Sequence, residues 1–237
     1  MEKYQYKLYG AILGDLCGQP YERGIRVNDK ILLHNPESVI TDDTLMTLAS
    51  ARSMIENIPA EWAYKEMGKK YPVDSYGSSF KTWIEAPVGT INNSWGNGCL
   101  MRVSPFMYGR NNLNAILDSV LCSHHHHLSV KACVDLYNAY NSLDLFTNKP
   151  VKPFKNFEVR ADVTANFCIN FVHWYTNVQR AIVECVKCGG DTDTNASIVG
   201  ELCNFRYKGI TEKDAQYVES KLDTYQLNIL KTFNTLF

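Results

Sequence analysis

The sequence predicts a mostly helical protein, and three observations carry that reading. Apolar residues return at three- and four-residue intervals along nearly the whole chain. Alternating runs rich in β-branched residues are few. Two clusters of acids and threonines, Thr41-Asp42-Asp43-Thr44 and Gly189-Gly190-Asp191-Thr192-Asp193-Thr194, stand where helices would begin. Their oxygens suit the open N–H groups of a first helical turn.

The elements follow in order. Leu8 to Leu16 reads as a first helix, stopped by Gly18 and Pro20. A second runs from Asp42 to Asn57, with Leu45, Leu48, Ala49 and Ile55 forming the apolar stripe and Pro59 limiting extension. Further helices are predicted over Ala60 to Lys70, Ser78 to Glu85, Leu113 to Ser123, Ser129 to Leu143, Asp162 to Tyr175, Asn177 to Lys187, Asp193 to Tyr207 and Glu212 to Phe233. The segment Gly24 to Ile40 is irregular, and Pro87 to Met101 is a long loop loaded with Gly and Asn. Loops of that length in a compact domain are functional or disordered, and the embedded Trp95 and Met101 argue against disorder. Thr147 to Glu158, with Pro150, Pro153 and three lysines, reads as a linker crossing the surface. The chain shows no internal repeat.

A length of 237 residues with 45% apolar content is enough for one sizeable core, so a single domain over residues 1–237 is expected. The formal charge of -1 gives no global field to hold a polyanion, which argues against nucleic-acid binding by counterion release. The first residues lack an apolar h-region, and no stretch approaches the roughly 18 uninterrupted apolar residues that span a bilayer. A soluble cytoplasmic protein, monomeric by default, is expected. Eight scattered cysteines in a chain this apolar read as reduced thiols. Cys185-Val186-Lys187-Cys188 has the spacing of half a zinc site, but no second pair completes it.

A single acid–threonine cluster is an ordinary helix cap. Two such clusters about 150 residues apart, each with an Asp pair, carry more negative charge than capping requires. Gly189 and Gly190 allow close backbone approach ahead of the second. If the fold brings them together, the carboxylate and hydroxyl oxygens form a hard-donor cage that favours Mg²⁺ or Mn²⁺ over zinc.

Four blocks in order extend this pattern: Gly14-Asp15-Leu16-Cys17-Gly18, Thr41-Asp42-Asp43-Thr44, Gly96-Asn97-Gly98-Cys99-Leu100-Met101-Arg102-Val103-Ser104-Pro105, and Gly189 to Ala196. In these blocks the chain resembles the ADP-ribosylglycohydrolases, the group of the dinitrogenase reductase-activating glycohydrolase and the ADP-ribosyl-acceptor hydrolases. The resemblance implies a compact orthogonal bundle of helices with two divalent cations, Mg²⁺ or Mn²⁺, at the base of an ADP-ribose cleft. It implies metal ligation by Thr41, Asp42, Asp43, Asp191, Asp193 and Thr194, with Asp193 bridging, and an Asp42–Asp43 pair close to the chemistry. Glu22 follows the first block where relatives place a carboxylate near the scissile bond. Ser94, Trp95, Gly96, Asn97 and Gly98 are implied as ligand contacts, the glycines offering unobstructed N–H groups to a diphosphate. Trp95 reads equally as a core anchor.

The run His124-His125-His126-His127 fits the family's Ser-His-x-His at Ser123, His124 and His126, and departs from it at His127 and Leu128. His124 is implied as a contact to the diphosphate or ribose. A four-His zinc site is disfavoured, because consecutive residues cannot all turn toward one ion. Arg102 resembles a structural partner to backbone or acid. The implied activity is hydrolysis of the bond from ribose C1″ to an acceptor on an ADP-ribosylated protein, nucleic acid or metabolite. The alternatives are a silent ADP-ribose binder, or a phosphohydrolase built on the same oxygen cage.

Overall fold

The computed structural model describes residues 4–22, 30–109, 113–142, 144 and 149–237. The start of the predicted Gly24–Ile40 loop, Leu143 at the end of a predicted helix, and the first two residues of the Thr147–Glu158 linker lie outside them. Twelve α-helices occur among the described residues: α1 (Tyr9–Gly18), α2 (Asp42–Glu56), α3 (Ala60–Lys70), α4 (Ser78–Glu85), α5 (Ser104–Tyr108), α6 (Leu113–Leu121), α7 (His127–Asn141), α8 (Ala161–Val172), α9 (Val178–Lys187), α10 (Thr192–Tyr207), α11 (Glu212–Ser220) and α12 (Thr224–Leu236). No strand is formed among these residues. Two isolated antiparallel bridges, Asn93 with His124 and Gly96 with Arg160, are the only extended pairings described. No described helix is long and apolar enough to cross a membrane.

The molecule is organised around α1 and α10. Every residue of α1 is buried, and so is α10 from Thr192 to Asn204. Gly10, Gly14 and Gly18 recur every four residues, which places them on one face of α1. A methyl group at Gly14 would overlap the Ala196 carbonyl and the Ser197 amide, and one at Gly18 would overlap the Thr192 carbonyl. Gly200 answers from the other side, against the Gly10 carbonyl. The two backbones therefore meet directly, with no side chains between them.

The N-terminus of α1 is held by the same partner. Glu201, buried on α10, accepts from the N–H groups of Leu8 at 2.9 Å and Ala11 at 3.0 Å. A carboxylate from another helix thus takes the capping role that no local side chain fills, while Leu8 sits at φ 70°. Burial raises this carboxyl to about 7 against the donors that favour its charge.

Around this pair the remaining helices add layers, with α9 and α8 on α10, and α2 on α1 and α3. α7 packs on α8 and α6, and α12 packs on α2. The predicted helix from Glu212 to Phe233 is two helices. Asp223 and Gln226 form a capping box that starts α12 after a break at Lys221–Asp223. Periodicity carried through the break because Leu222 keeps an apolar spacing, while the Asp-x-x-Gln signal marks the new start. The short α5 was missed; Pro105 in its first turn is its signal. The helix predicted from Ser129 begins at His127, because the His126 side chain accepts from the Leu128 amide and caps it.

Changing Gly14 to Ala should cost about 3 kcal/mol or more, since the methyl meets main-chain atoms rather than a movable side chain. Urea unfolding of G14A measures this. A midpoint equal to wild type would show that α1 and α10 do not require backbone contact.

Candidate functional site

The packing of α1, α2 and α10 brings the acidic starts of α2 and α10 together beside Asp15 of α1. Thr41 is the N-cap of α2, and its hydroxyl accepts from the Asp43 amide. At α10, Gly189 and Gly190 adopt φ 73° and 79°, left-handed values that suit glycine, and the chain enters the helix at Asp191. The two clusters touch: the Thr194 hydroxyl donates to Asp43 Oδ2 at 3.2 Å, across 151 residues of sequence.

Asp15, on α1, ties the arrangement together and was not singled out by sequence. Its carboxylate accepts from the Thr41 amide at 3.0 Å, the Thr41 hydroxyl at 2.9 Å, the Thr44 amide at 3.2 Å and the Thr44 hydroxyl. Asp15 thus holds the first turn of α2 against α1. Its signal lay in the first motif block, where an Asp between glycines on a buried helix face needs a polar reason to be there.

Two sets of acids lie within metal-ligating reach. Oxygens of Asp15, Asp43 and Asp193 fall within 4.8 Å of one another, as do oxygens of Glu22, Asp191 and Asp193. Asp193 belongs to both sets. Asp43 Oδ1 is buried without a hydrogen-bond partner. Among the described residues, no Lys or Arg forms an ion pair with Asp15, Asp43 or Asp193. Burial pushes the Asp15 carboxyl up to about 6. Burial, reinforced by Asp15 and Asp191, raises Asp42 to about 7. Asp43 and Asp193 also rise well above the carboxylate range, from burial first and the neighbouring acids second. Hard oxygens, an orphaned carboxylate atom and crowded negative charge fit divalent cations.

These acids, Asp15 excepted, border a cavity of about 750 Å³. Glu22, Asp42, Asp43, Asp191, Asp193 and Thr194 border it, as do Ser94, Trp95, Gly96, Asn97, Gly98 and His124. Of the expected site residues, Thr41 alone does not border the cavity. Its hydroxyl faces Asp15 and Asp43 at 2.9 and 3.3 Å. Asp42 borders the cavity but falls in neither three-acid set. Asn97 turns its amide to Asp191 Oδ2 at 2.7 Å, so it orients an acid from the cavity floor. Trp95 is 46% exposed at the rim, which removes the core-anchor reading. Arg102 partners backbone and hydroxyl groups rather than an acid, donating to the Ser119 carbonyl at 2.8 Å and to Ser123 Oγ.

The glycine-rich loop is fixed from both sides. Asn97 N–H donates to Val159 at 2.8 Å, Ala161 N–H donates to Trp95 at 3.0 Å, and His125 N–H donates to Asn92 at 3.0 Å. The linker ending at Glu158 does more than cross the surface. Phe157 and Val159 border the cavity, and Phe154 N–H donates to the Cys188 carbonyl at 2.8 Å. Its polar composition hid Phe157, an aromatic that borders a ligand-sized space. Ser75 and Tyr76 in the turn leading into α4, and Phe80 within it, also border the cavity and were missed by sequence reasoning.

The histidine run diverges in space: His124 is buried and borders the cavity, His126 caps α7, and His125 and His127 are exposed. No three His or Cys ligands converge among the described residues. All eight cysteines are free, and six of them are buried.

The family profile described as ADP-ribosylglycohydrolase matches residues 1–145. No curated protein sequence matches the chain. In fold, the chain is similar to a solved structure described as an ADP-ribosylglycohydrolase-related protein complex, with a TM-score of 0.70 and 15% identity, covering 100% of this chain and 99% of that one. At that identity the likeness speaks for the all-α fold, including α8 to α12, which the profile does not reach. The profile spans more than half of the chain and contains three of its four motif blocks, so this protein belongs to the ADP-ribosylglycohydrolase family.

Proposed function

We propose that the chain is a metal-dependent ADP-ribosyl hydrolase that cleaves the glycosidic bond between ribose C1″ and an acceptor. The observation that supports this most is the meeting of the two acidic clusters at the wall of a cavity large enough for a nucleotide-sized ligand, marked by the Thr194–Asp43 contact of 3.2 Å. In this reading Thr41, Asp42, Asp43, Asp191, Asp193 and Thr194 would hold two Mg²⁺ or Mn²⁺ ions. When bound, the ions supply charge that binds ribose hydroxyls and acidifies water.

The chain's own residues do the rest. The backbone of Gly98, with the ring edge of His124, receives the diphosphate. Trp95 lies against a flat ring at the rim, and Ser94 braces the loop by accepting from the Gly96 amide at 3.1 Å. Asn97 keeps Asp191 oriented. Glu22 takes the proton from the attacking water as the new C1″–O bond forms and the C1″–acceptor bond breaks. The acceptor leaves with the bonding electron pair and gains the proton that Glu22 took from water, which restores the Glu22 carboxylate, while the Asp42 and Asp43 carboxylates support positive charge on the ribose ring.

Acceptor release from ADP-ribosylated arginine, serine and nucleic-acid substrates, with Mg²⁺, with Mn²⁺ and after chelation, tests the reading. Asp43→Asn and Asp193→Asn should lower kcat by about 10²–10⁴. Glu22→Gln should lower turnover by about 10² or more while ADP-ribose affinity stays within about twofold. Release that survives full chelation contradicts the metal role. Inorganic phosphate released from ADP-ribose would favour a phosphohydrolase, and ADP-ribose binding with no release from any substrate a silent binder.

Cation binding should also depend on pH in a defined direction. Asp15 and Asp42 bind protons more tightly in the folded state, at about 6 and about 7 against an ordinary 3.8. These groups therefore favour folding most when protonated, and their contribution is lost as pH rises from about 4 through about 7. A divalent cation displaces those protons, so the Tm increment from Mg²⁺ or Mn²⁺ should grow across that window and fade at its acid end. Thermal melts with and without the ions measure it, and an increment independent of pH would count against ligation by this cluster.

A further inference from the structure

Outside the acidic wall, a second buried polar group borders the cavity. Arg102 is fully buried, with its guanidinium carbon 4.0 Å from the centre of the Tyr64 ring. No described carboxylate pairs with it. It donates through Nη2 to the Ser119 carbonyl at 2.8 Å and to the hydroxyl oxygen of Ser123. Ser123 Oγ in turn lies 2.9 Å from His124 Nδ1.

The direction of this chain of bonds follows from donor inventory. A guanidinium has no acceptor, so Ser123 Oγ accepts at the Arg102 contact. The serine has one hydroxyl proton, and the hydrogen-bonded neighbour able to take it is His124 Nδ1. An imidazole that accepts at Nδ1 carries its proton on Nε2 when neutral. Burial and the nearby Arg102 charge hold His124 well below its ordinary range, which keeps it neutral. Its backbone is also fixed, since His124 N–H donates to the Val120 carbonyl at 2.7 Å and the residue bridges to Asn93.

The Nε2 edge faces the glycine-rich loop. A Cβ at Gly98 would stand 3.6 Å from it, and one at Gly96 would stand 3.9 Å away. Nε2 has no hydrogen-bond partner among the described residues. We propose that Arg102 and Ser123 are positioning residues that lock His124 as its Nε2–H tautomer, a neutral, one-directional donor aimed at a phosphate oxygen beside the Gly96–Gly98 loop. This rests on the ADP-ribosyl reading above for the identity of the ligand, though not for the tautomer. The arrangement has a physical advantage. The ring cannot present a lone pair to an anionic oxygen, and the fixed positive charge lies behind the contact, where it needs no direct ion pair.

The test is a long-range proton–nitrogen correlation spectrum of protein labelled with ¹⁵N-histidine near neutral pH, with the His124 signals assigned by their loss in His124→Gln. The expected result is a proton on Nε2 and a lone pair on Nδ1 in the wild type. Ser123→Ala should let the Nδ1–H form appear and weaken ADP-ribose binding by about 3- to 30-fold, and Ser123→Thr, which restores a hydroxyl, should recover the wild-type tautomer. A wild-type Nδ1–H form, or a tautomer indifferent to Ser123→Ala, overturns the proposal. If Ser123→Ala does not fold, the wild-type spectrum decides by itself. Absence of ADP-ribose binding in the wild type would refute the ligand reading, and the tautomer spectrum would still decide the relay.

Discussion

Direct backbone contact between α1 and α10 is the constraint on which the rest depends. Glycines at positions 10, 14 and 18 remove every side chain from one face of α1, and α10 answers with Ala196 and Gly200. Two consequences follow from that approach. Glu201 comes within reach of the open amides at the start of α1, and Asp15 comes within reach of Asp193 and of the first turn of α2. The site is therefore a by-product of how the central helices are allowed to pack. A larger residue on the glycine face would part the acids as it parts the helices.

The acids themselves oppose this packing. Asp15, Asp43, Asp191 and Asp193 are buried together; burial displaces the carboxyls of Asp15, Asp43 and Asp193 upward, and at Asp43 and Asp193 the neighbouring acids add to it. Hydrogen bonds from Thr41, Thr44 and Thr194 relieve part of the cost, and Asn97 relieves part of it at Asp191. The buried, unpartnered Asp43 Oδ1 marks what hydrogen bonding leaves uncompensated. Strain of this kind, kept in the centre of an otherwise well-satisfied bundle, is typical of a site whose balance is completed by a ligand. In the proposed function, divalent cations are that ligand.

The helical class was legible because most helices carry an apolar stripe, and caps such as Thr41 and Pro59 mark their starts. The central helix was the hardest case for the same logic. α10 reads Thr-Asp-Thr-Asn-Ala-Ser with little apolar bias, yet is buried on all sides, because its polar groups meet α1, α2 and the glycine-rich loop. The sequence still places it, as a helix over Asp193 to Tyr207. Residues that touch the cavity through motif blocks were found from sequence, whereas Tyr76, Phe80 and Phe157 were not, since an isolated aromatic carries no signal of where its loop will be folded. Asp15 was overlooked for a different reason. Its partners are the amides and hydroxyls of a turn 26 to 29 residues away, a contact that spacing alone cannot disclose.

The central claim, that these acids converge to hold a pair of cations, is tested most directly by anomalous diffraction from crystals grown with Mn²⁺. The account predicts two anomalous peaks at the cavity wall, bounded by Asp42 and Asp43 on one side and Asp191 and Asp193 on the other, with the Asp193 carboxylate between them. Peaks confined to exposed carboxylates elsewhere, with none beside Asp43 or Asp193 at saturating Mn²⁺, would contradict it.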